Sequence, residues 1–199
     1  MGDYHLRTPI EEEQVRRLKI RDVFYVSGTM FTARDEAHHR ALEYHGKGVK
    51  LPLDFSGLVL YHCGPVVKKE GEVWKIIAAG PTTSTRMEKL EHEFIRKFGV
   101  RVVVGKGGMG PKTTRAMKEY GAIYGAYTGG AAVLAAKAIK SVKRVEWLDL
   151  GIPEAIYVLN VERFGPMIVA IDSHGNNLYD VVRENVEKNR EKIYEEIGV

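Results

Sequence analysis

The chain has 199 residues, 44% apolar and 28% charged, which is enough apolar material for a full core in one α/β domain over residues 1–199 and leaves no run fit to span a bilayer. The net charge of +4 is mild and its cations are interleaved with acids, as over residues 184–196, so neither a nucleic-acid surface nor a membrane surface is indicated. A single cysteine, Cys63, excludes an internal disulfide and any multi-cysteine metal site within the chain, and the absence of an apolar leader after Met1-Gly2-Asp3-Tyr4-His5 makes a cytoplasmic protein the expectation.

In chain order, residues 5–19 read as an opening turn and a short helix, with Thr8-Pro9-Ile10-Glu11 as its capping box. Val23-Phe24-Tyr25-Val26 reads as a strand ending at Ser27-Gly28. Thr32 then starts a helix through Leu42, with Asp35 as reciprocal capping partner and Arg34 in the first turn. Residues 46–55 form a loop, and 58–63 a strand closed by Gly64-Pro65. Gly71 opens an apolar strand, 73–79, that runs into Gly80-Pro81-Thr82-Thr83-Ser84-Thr85-Arg86. Met87, Leu90, Phe94, Ile95 and Phe98 follow at helical spacing. Residues 100–104 form a buried strand that ends in Gly105-Lys106-Gly107-Gly108-Met109-Gly110. A helix from Pro111 to Tyr120 follows, then a strand at 122–127. Gly129-Gly130 leads into an alanine-rich helix over 131–140. Residues 155–162 and 167–172 read as two strands about a hairpin-like turn at Arg163-Phe164-Gly165-Pro166. Residues 172–177 form a loop and 178–197 a charged terminal helix.

The stretch from Gly80 to Arg86 is where the chemistry concentrates. The hydroxyls of Thr82 to Thr85 can cap a first helical turn, and the free N–H groups of such a turn carry positive partial charge. With Arg86 on the same face as Thr82, a hydroxyl, N–H donors and a guanidinium would converge as an anion site. A capped helix with a solvent-facing arginine explains the same residues. Arg34 and Lys106 stand at two further strand ends, the edge of an α/β sheet at which ligands bind. Arginine forks suit carboxylates, so two arginines and a lysine could hold a dicarboxylate. Alternatively, Arg34 pairs with Asp35 or Glu36 at the surface.

Residues 105–110 are not a P-loop, because no Gly-Lys-Ser/Thr closes them. As a Gly-x-Gly-x-x-Gly turn they lack the acidic residue that would follow on the next strand. His174, in Asp172-Ser173-His174-Gly175, is either a base or a loop-holding residue. His38, His39 and His62 have no partners at metal-ligand spacing, and Cys63 reads as core, so no metal is assigned to this chain.

Several ordered motifs resemble one family. They are Thr32-Ala33-Arg34-Asp35-x-Ala37-His38, Gly80-Pro81-Thr82-Thr83-x-x-Arg86-Met87, Gly105-Lys106-Gly107-Gly108-Met109, Tyr127-x-Gly129-Gly130-Ala131-Ala132, and the run from Trp147-Leu148-Asp149-Leu150-Gly151 through Pro153-Glu154-Ala155. Phe164-Gly165-Pro166 and Asp172-Ser173-His174-Gly175-Asn176 continue the likeness. Together they resemble the β subunits of iron–sulfur class I fumarate hydratases and of L(+)-tartrate dehydratases over nearly the whole chain. The resemblance implies a swivelling β/β/α three-layer domain and a hydro-lyase that interconverts fumarate and (S)-malate, with tartrate as the alternative substrate. It implies a hetero-oligomer whose α subunit holds a [4Fe-4S] cluster with an open iron, a division that suits a chain with one cysteine. It places Arg34, Arg86, Lys106 and Thr83 on the dicarboxylate substrate and Thr82 as the base. Cations near a carbanion-like state would stabilise its charge and favour an ionised threonine hydroxyl. Ser84-Thr85 departs from the small residues expected there; these hydroxyls either cap the helix or touch a hydroxyl-rich substrate. A non-catalytic anion-binding or scaffold domain is the reading from another class.

Overall fold

A computed structural model describes residues 2–198; Met1 and Val199, the ends of the domain read from the sequence, lie outside the described residues. Among the described residues there are nine strands and six α-helices. The strands are β1 (Asp3–Arg7), β2 (Val23–Thr32), β3 (Val59–Tyr61), β4 (Val66–Glu70), β5 (Val73–Ala78), β6 (Val102–Gly105), β7 (Ile123–Ala126), β8 (Ile139–Glu146) and β9 (Ile156–Ile171). The helices are α1 (Glu12–Arg16), α2 (Asp35–Gly46), α3 (Glu88–Phe98), α4 (Pro111–Tyr120), α5 (Ala132–Ala138) and α6 (Leu178–Ile197).

Seven strands form one sheet in the order β1-β2-β3-β6-β7-β9-β8. The first five in that order are mutually parallel, and β9 runs antiparallel to its neighbours. Because β9 also pairs with β2, from Val23↔Ile168 to Phe31↔Val158, the strands β2-β3-β6-β7-β9 close into a ring. Closure removes the free edges of the central strands. β4 and β5 form a separate hairpin.

The ring strands β3, β6 and β7 are buried on both faces, which is why they read as unbroken apolar runs rather than alternating ones. Side chains still alternate between two cores. Met30, Val59, Tyr61, Val102, Val104, Ile123, Tyr157 and Leu159 enter one core with Val15 of α1 and Ala135 of α5. Phe31, Leu60, Val103, Tyr124 and Val158 enter the other, which α2, α3 and α4 cover with Ala37, Ala41, Phe94, Ile95, Ala116 and Met117.

Several expectations need correction. The opening segment begins with β1, and α1 starts at Glu12, not near Thr8. Its capping box joins Glu11 to Gln14, while Thr8 Oγ1 accepts the Thr29 N–H at 2.5 Å. β2 does not stop at Ser27-Gly28. Gly28 has φ +107° and takes a register shift against β9, so the strand continues to Thr32. Thr32 caps nothing: its hydroxyl is buried, accepts the Tyr157 N–H at 3.0 Å and faces the Ala155 carbonyl at 3.4 Å. β4 and β8 go unread in the sequence, and the alanine-rich helix ends at Ala138. The supposed hairpin at residues 163–166 is the middle of one strand. Arg163 at φ 48° and Gly165 at φ 145° absorb the irregularity, and both halves of β9 pair with the ten-residue β2 instead of with each other.

The glycine-rich turn after β6 ends against a carboxylate from the neighbouring helix. Glu88 accepts from the Gly110, Lys112 and Thr113 N–H groups at 2.7, 3.1 and 3.3 Å and from the Thr113 hydroxyl at 2.7 Å. The α4 N-terminus therefore already holds its anion, in keeping with the sequence argument against a P-loop. Glu88→Ala is expected to lower stability by about 1–2 kcal/mol, as loss of a helix cap does; a urea midpoint equal to wild type would contradict it.

Candidate functional site

Four consecutive parallel strands deliver their C-terminal ends to one edge. β2 ends in Thr32-Ala33-Arg34, β3 in His62-Cys63, β6 in Gly105-Lys106 and β7 in Tyr127-Thr128. The segment after β5 is laid across the middle two. Pro81 bridges Cys63, the Thr82 N–H donates to the His62 carbonyl at 2.6 Å, and the Lys106 N–H donates to the Thr82 carbonyl at 3.3 Å. The Ser84 N–H donates to the Lys106 carbonyl at 2.8 Å, and Thr83 forms a parallel bridge with Lys106. Thr82 and Thr83 are thus fixed through their backbones between two strand ends. Thr83 is exposed and Thr82 half-buried, and among the described residues no hydrogen bond holds the Thr82 hydroxyl.

The cations stand around this segment. Arg34 precedes α2 and lies along Glu154, Nε to Oε1 at 3.2 Å, rather than along Asp35 or Glu36. A Cβ at Gly64 would stand 2.8 Å from Arg34 Nη1, so the missing side chain makes room for the guanidinium. Arg86 is half-exposed, and its Nη2 meets Asp35 Oδ2 at 2.7 Å, which ties it to the residue after Arg34. Lys106 is exposed, lies over Gly129 with Nζ 3.7 Å from where a Cβ there would stand, and makes no ion pair among the described residues. The arginines are thus partnered by acids while the lysine is free.

The expected capping of this turn does not occur. Residues Ser84–Met87 form a 3-10 turn and Thr83 caps it with no side-chain bond. The Ser84 hydroxyl is fully buried and faces inward to His62 Nδ1 and the Tyr124 hydroxyl, each at 2.9 Å, so it neither caps the helix nor reaches a substrate. Ser84 needs the bare backbone of Gly105 beside it; a Cβ there would collide with Oγ.

Sequence reading missed the cluster behind Ser84. His38 on α2, His62 after β3 and Glu91 on α3 are completely buried, and their ligating atoms lie within 4.8 Å of one another, so spacing along the chain hid a three-dimensional group. Both Nε2 atoms face Glu91 Oε2, at 3.2 Å from His38 and 2.8 Å from His62. His38 Nδ1 meets the Arg34 carbonyl at 2.7 Å, while Glu91 Oε1 is buried without a partner. Burial alone would raise the Glu91 carboxyl, but the two imidazoles overcome that and bring it down to about 2. Burial likewise works against charge on His38, yet its bonds to Glu91 and the Arg34 carbonyl raise it. For His62 burial wins and its value is lowered. The one signal in the sequence was an acid, Glu91, on the apolar stripe of α3, beside Phe94 and Ile95.

The sign of the pH effect follows. Glu91 contributes stability above its ordinary 4.5 that is lost as pH falls toward 2, and neutral His62 contributes stability above 6.5 that is lost as pH falls through its lowered value. His38 contributes fully below 6.5 and loses its part as pH rises through its raised value. Urea midpoints measured down from pH 4.5 should fall less steeply in Glu91→Gln than in wild type; parallel curves would show that Glu91 carries none of the acid limb.

Cys63 is buried and its thiol is pushed up to about 12 by that burial, so it is a protonated core residue. His174 Nε2 faces the Arg16 carbonyl at 3.0 Å and its N–H donates to Asp172 Oδ1 at 3.0 Å. It holds the loop after β9, at the opposite edge of the parallel strands.

A family model described as Fumarase C-terminus matches residues 3–182. The chain belongs to this family. Among its relatives, the L(+)-tartrate dehydratase subunit beta of Escherichia coli strain K12 is 43% identical over 192 residues, covering 96% of this chain and 94% of that one. A Methanocaldococcus jannaschii protein named "Putative L(+)-tartrate dehydratase subunit beta" is 43% identical over 96% of both chains. A Geobacillus stearothermophilus protein named "Putative fumarate hydratase class I" is 44% identical over 92% of this chain but only 35% of its own length. The fumarase C-terminal domain therefore occurs both as a chain of this size and as part of a longer one. No described helix is long and apolar enough to cross a membrane.

Proposed function

We propose that this chain is the β subunit of a class I hydro-lyase that interconverts fumarate and (S)-malate and is active only with a cluster-bearing α subunit. The observation that carries the reading is the convergence of Arg34, Thr82, Arg86 and Lys106 on one strand edge in a member of the fumarase C-terminal family. Lys106 and the arginines bind the substrate carboxylates, with the exposed Thr83 beside them, and Thr82 takes the proton from the carbon adjacent to the one that carries the leaving hydroxyl. Asp35 and Glu154 hold the two guanidinium groups until a carboxylate competes for them.

The described residues of this chain do not fit a [4Fe-4S] cluster: the one cysteine is buried and protonated. In this reading the cluster rests on the α subunit, which covers the site edge and excludes water. Exposed Val133 and Leu134 on α5, 59% and 61% accessible beside the Gly129-Gly130 turn, support a covering chain there. The reading also carries the family's swivelling three-layer architecture, supported by the helical layer α2–α4, the strand ring and the β4–β5 hairpin beyond it.

L(+)-tartrate is the second reading, favoured by the names of the full-length relatives. Turnover of fumarate, malate and tartrate by the purified pair of subunits decides between them. Higher kcat/KM on fumarate and malate is expected; preference for tartrate replaces the first substrate with the second, and no turnover of any of the three with an intact cluster sinks both.

A further inference from the structure

We propose that the buried chain His38–Glu91–His62–Ser84 is the positioning device of the anion site, an imidazolium–carboxylate pair that holds the backbones of Arg34, Thr82 and Lys106 in one register; the inference rests on the functional reading above. The donors and acceptors fix its protons. The Arg34 carbonyl can only accept, so His38 Nδ1, 2.7 Å from that oxygen, carries a hydrogen. Glu91 Oε2 also accepts, so His38 Nε2 carries a second hydrogen, and His38 is an imidazolium paired with a carboxylate. His62 has another solution. Tyr124 donates to Ser84 Oγ, Ser84 donates to His62 Nδ1, and His62 donates from Nε2 to Glu91, which leaves a neutral ring. Glu91 thus bears one negative charge against one positive charge.

Each member grips a different piece of the site. His38 holds the carbonyl of Arg34. His62 accepts the Thr82 N–H at its own carbonyl, and its N–H donates to the Val104 carbonyl at 2.8 Å. Ser84 holds the Lys106 carbonyl through its N–H. The groups around His38 are Glu91 from α3, His62 from the end of β3, Asp35 from its own helix and the Phe94 ring at 4.7 Å. Apolar side chains of the same volume would pack this core at least as stably, since a buried ion pair gains little over them. They could not reach the carbonyl of Arg34 or fix Ser84 against Lys106. Position is what the charged chain adds.

The first test reads ring-nitrogen protonation in the 15N-labelled full chain. His38 is expected to carry hydrogens on both nitrogens from about pH 6 to about pH 8, and His62 on Nε2 alone over the same range. A singly protonated His38 at neutral pH overturns the proposal, as does zinc retained at one per chain and lost in Glu91→Gln. The second test uses the complex of both subunits. Glu91→Gln keeps the shape but cannot hold an imidazolium, and kcat/KM is expected to fall about 100-fold with a rise in KM, as small displacements of binding groups produce. Wild-type kcat/KM beside a lowered melting temperature would make Glu91 merely structural and end the idea. Should Glu91→Gln fail to fold, Ser84→Ala releases the His62 tautomer without altering charge. It is expected to lower kcat/KM about tenfold, and wild-type values there would be equally fatal. A wild-type complex inactive on all three dicarboxylates defeats the functional reading, while the ring-nitrogen spectrum still decides the network.

Discussion

Thr82→Ala in the two-subunit enzyme is expected to lower kcat by about 100- to 10,000-fold, the usual worth of a positioned general base, with little change in KM. Thr82 is held through both backbone groups between His62 and Lys106, so its Cβ cannot wander, and among the described residues no hydrogen bond occupies its hydroxyl. A threonine hydroxyl is a poor base in water. Exclusion of water by the proposed covering subunit would by itself disfavour the ionised form; the charge of a nearby Lys106, screened less there, is what would favour it. Alanine removes the oxygen and leaves the bridge between β3 and β6 intact, so the melting temperature should not move. A rise in KM with unchanged kcat would make Thr82 a binding group and take it out of the proton transfer.

Lys106→Ala is expected to lower kcat/KM about 100-fold, or about 3 kcal/mol, as removal of a charged partner from a desolvated ligand does. Lys106 is the cation of the site that no acid of the described chain engages. Its charge is therefore available to a carboxylate, and its loss should leave stability within about 0.5 kcal/mol of wild type. Arg86→Ala should cost less than Lys106→Ala. Its guanidinium is half-exposed and shared with Asp35, so a substrate carboxylate gains only the difference. Steady-state kinetics of the two variants at several substrate concentrations gives the ranking; equal losses would mean that Asp35 lets go of Arg86 completely in the complex.

What the sequence made legible follows from which forces act locally. The buried strands β6 and β7 and the helices α3, α4 and α6 were readable because apolar periodicity, Pro111 at a first turn and Gly121 at a stop are local signals. Gly121 ends α4 in the left-handed conformation, and Gly99 ends α3 in the same way. The strands that escaped are at edges or in the hairpin. β1 and β4 expose most of their residues and β8 half of its own, and they carry charges there, such as Lys68 and Lys69 in β4 and Arg144 in β8, so the alternation is blurred. β9 was split in two because Gly165-Pro166 is a turn signal. Its partner β2 lies far off in sequence, and only that pairing shows the irregularity to be a kink.

The site divides the same way. Arg34, Thr82, Thr83, Arg86 and Lys106 could be singled out as candidates because each sits at a strand end or in the turn laid across such ends. Their partners could not. Glu154 reaches Arg34 from 120 positions along the chain, and Asp35 was expected to cap a helix or pair locally, yet it holds Arg86. Ser84 was left between a cap and a substrate contact, and the fold gives it a third role, in the core. Its partners His62 and Tyr124, and Glu91 behind His62, come from three separate parts of the fold. No spacing rule along one chain could gather them.

The central claim is that this chain supplies the cations and the hydroxyl of a pocket whose cluster belongs to another subunit. A crystal structure of the two-subunit complex with a dicarboxylate bound tests it most directly. Lys106 Nζ and at least one of the Arg34 and Arg86 guanidinium groups are expected within hydrogen-bonding distance of the ligand carboxylates, with Thr82 Oγ1 facing the carbon that loses its proton. A dicarboxylate bound wholly by the partner subunit, with these four side chains still facing solvent or their present acidic partners, would contradict it.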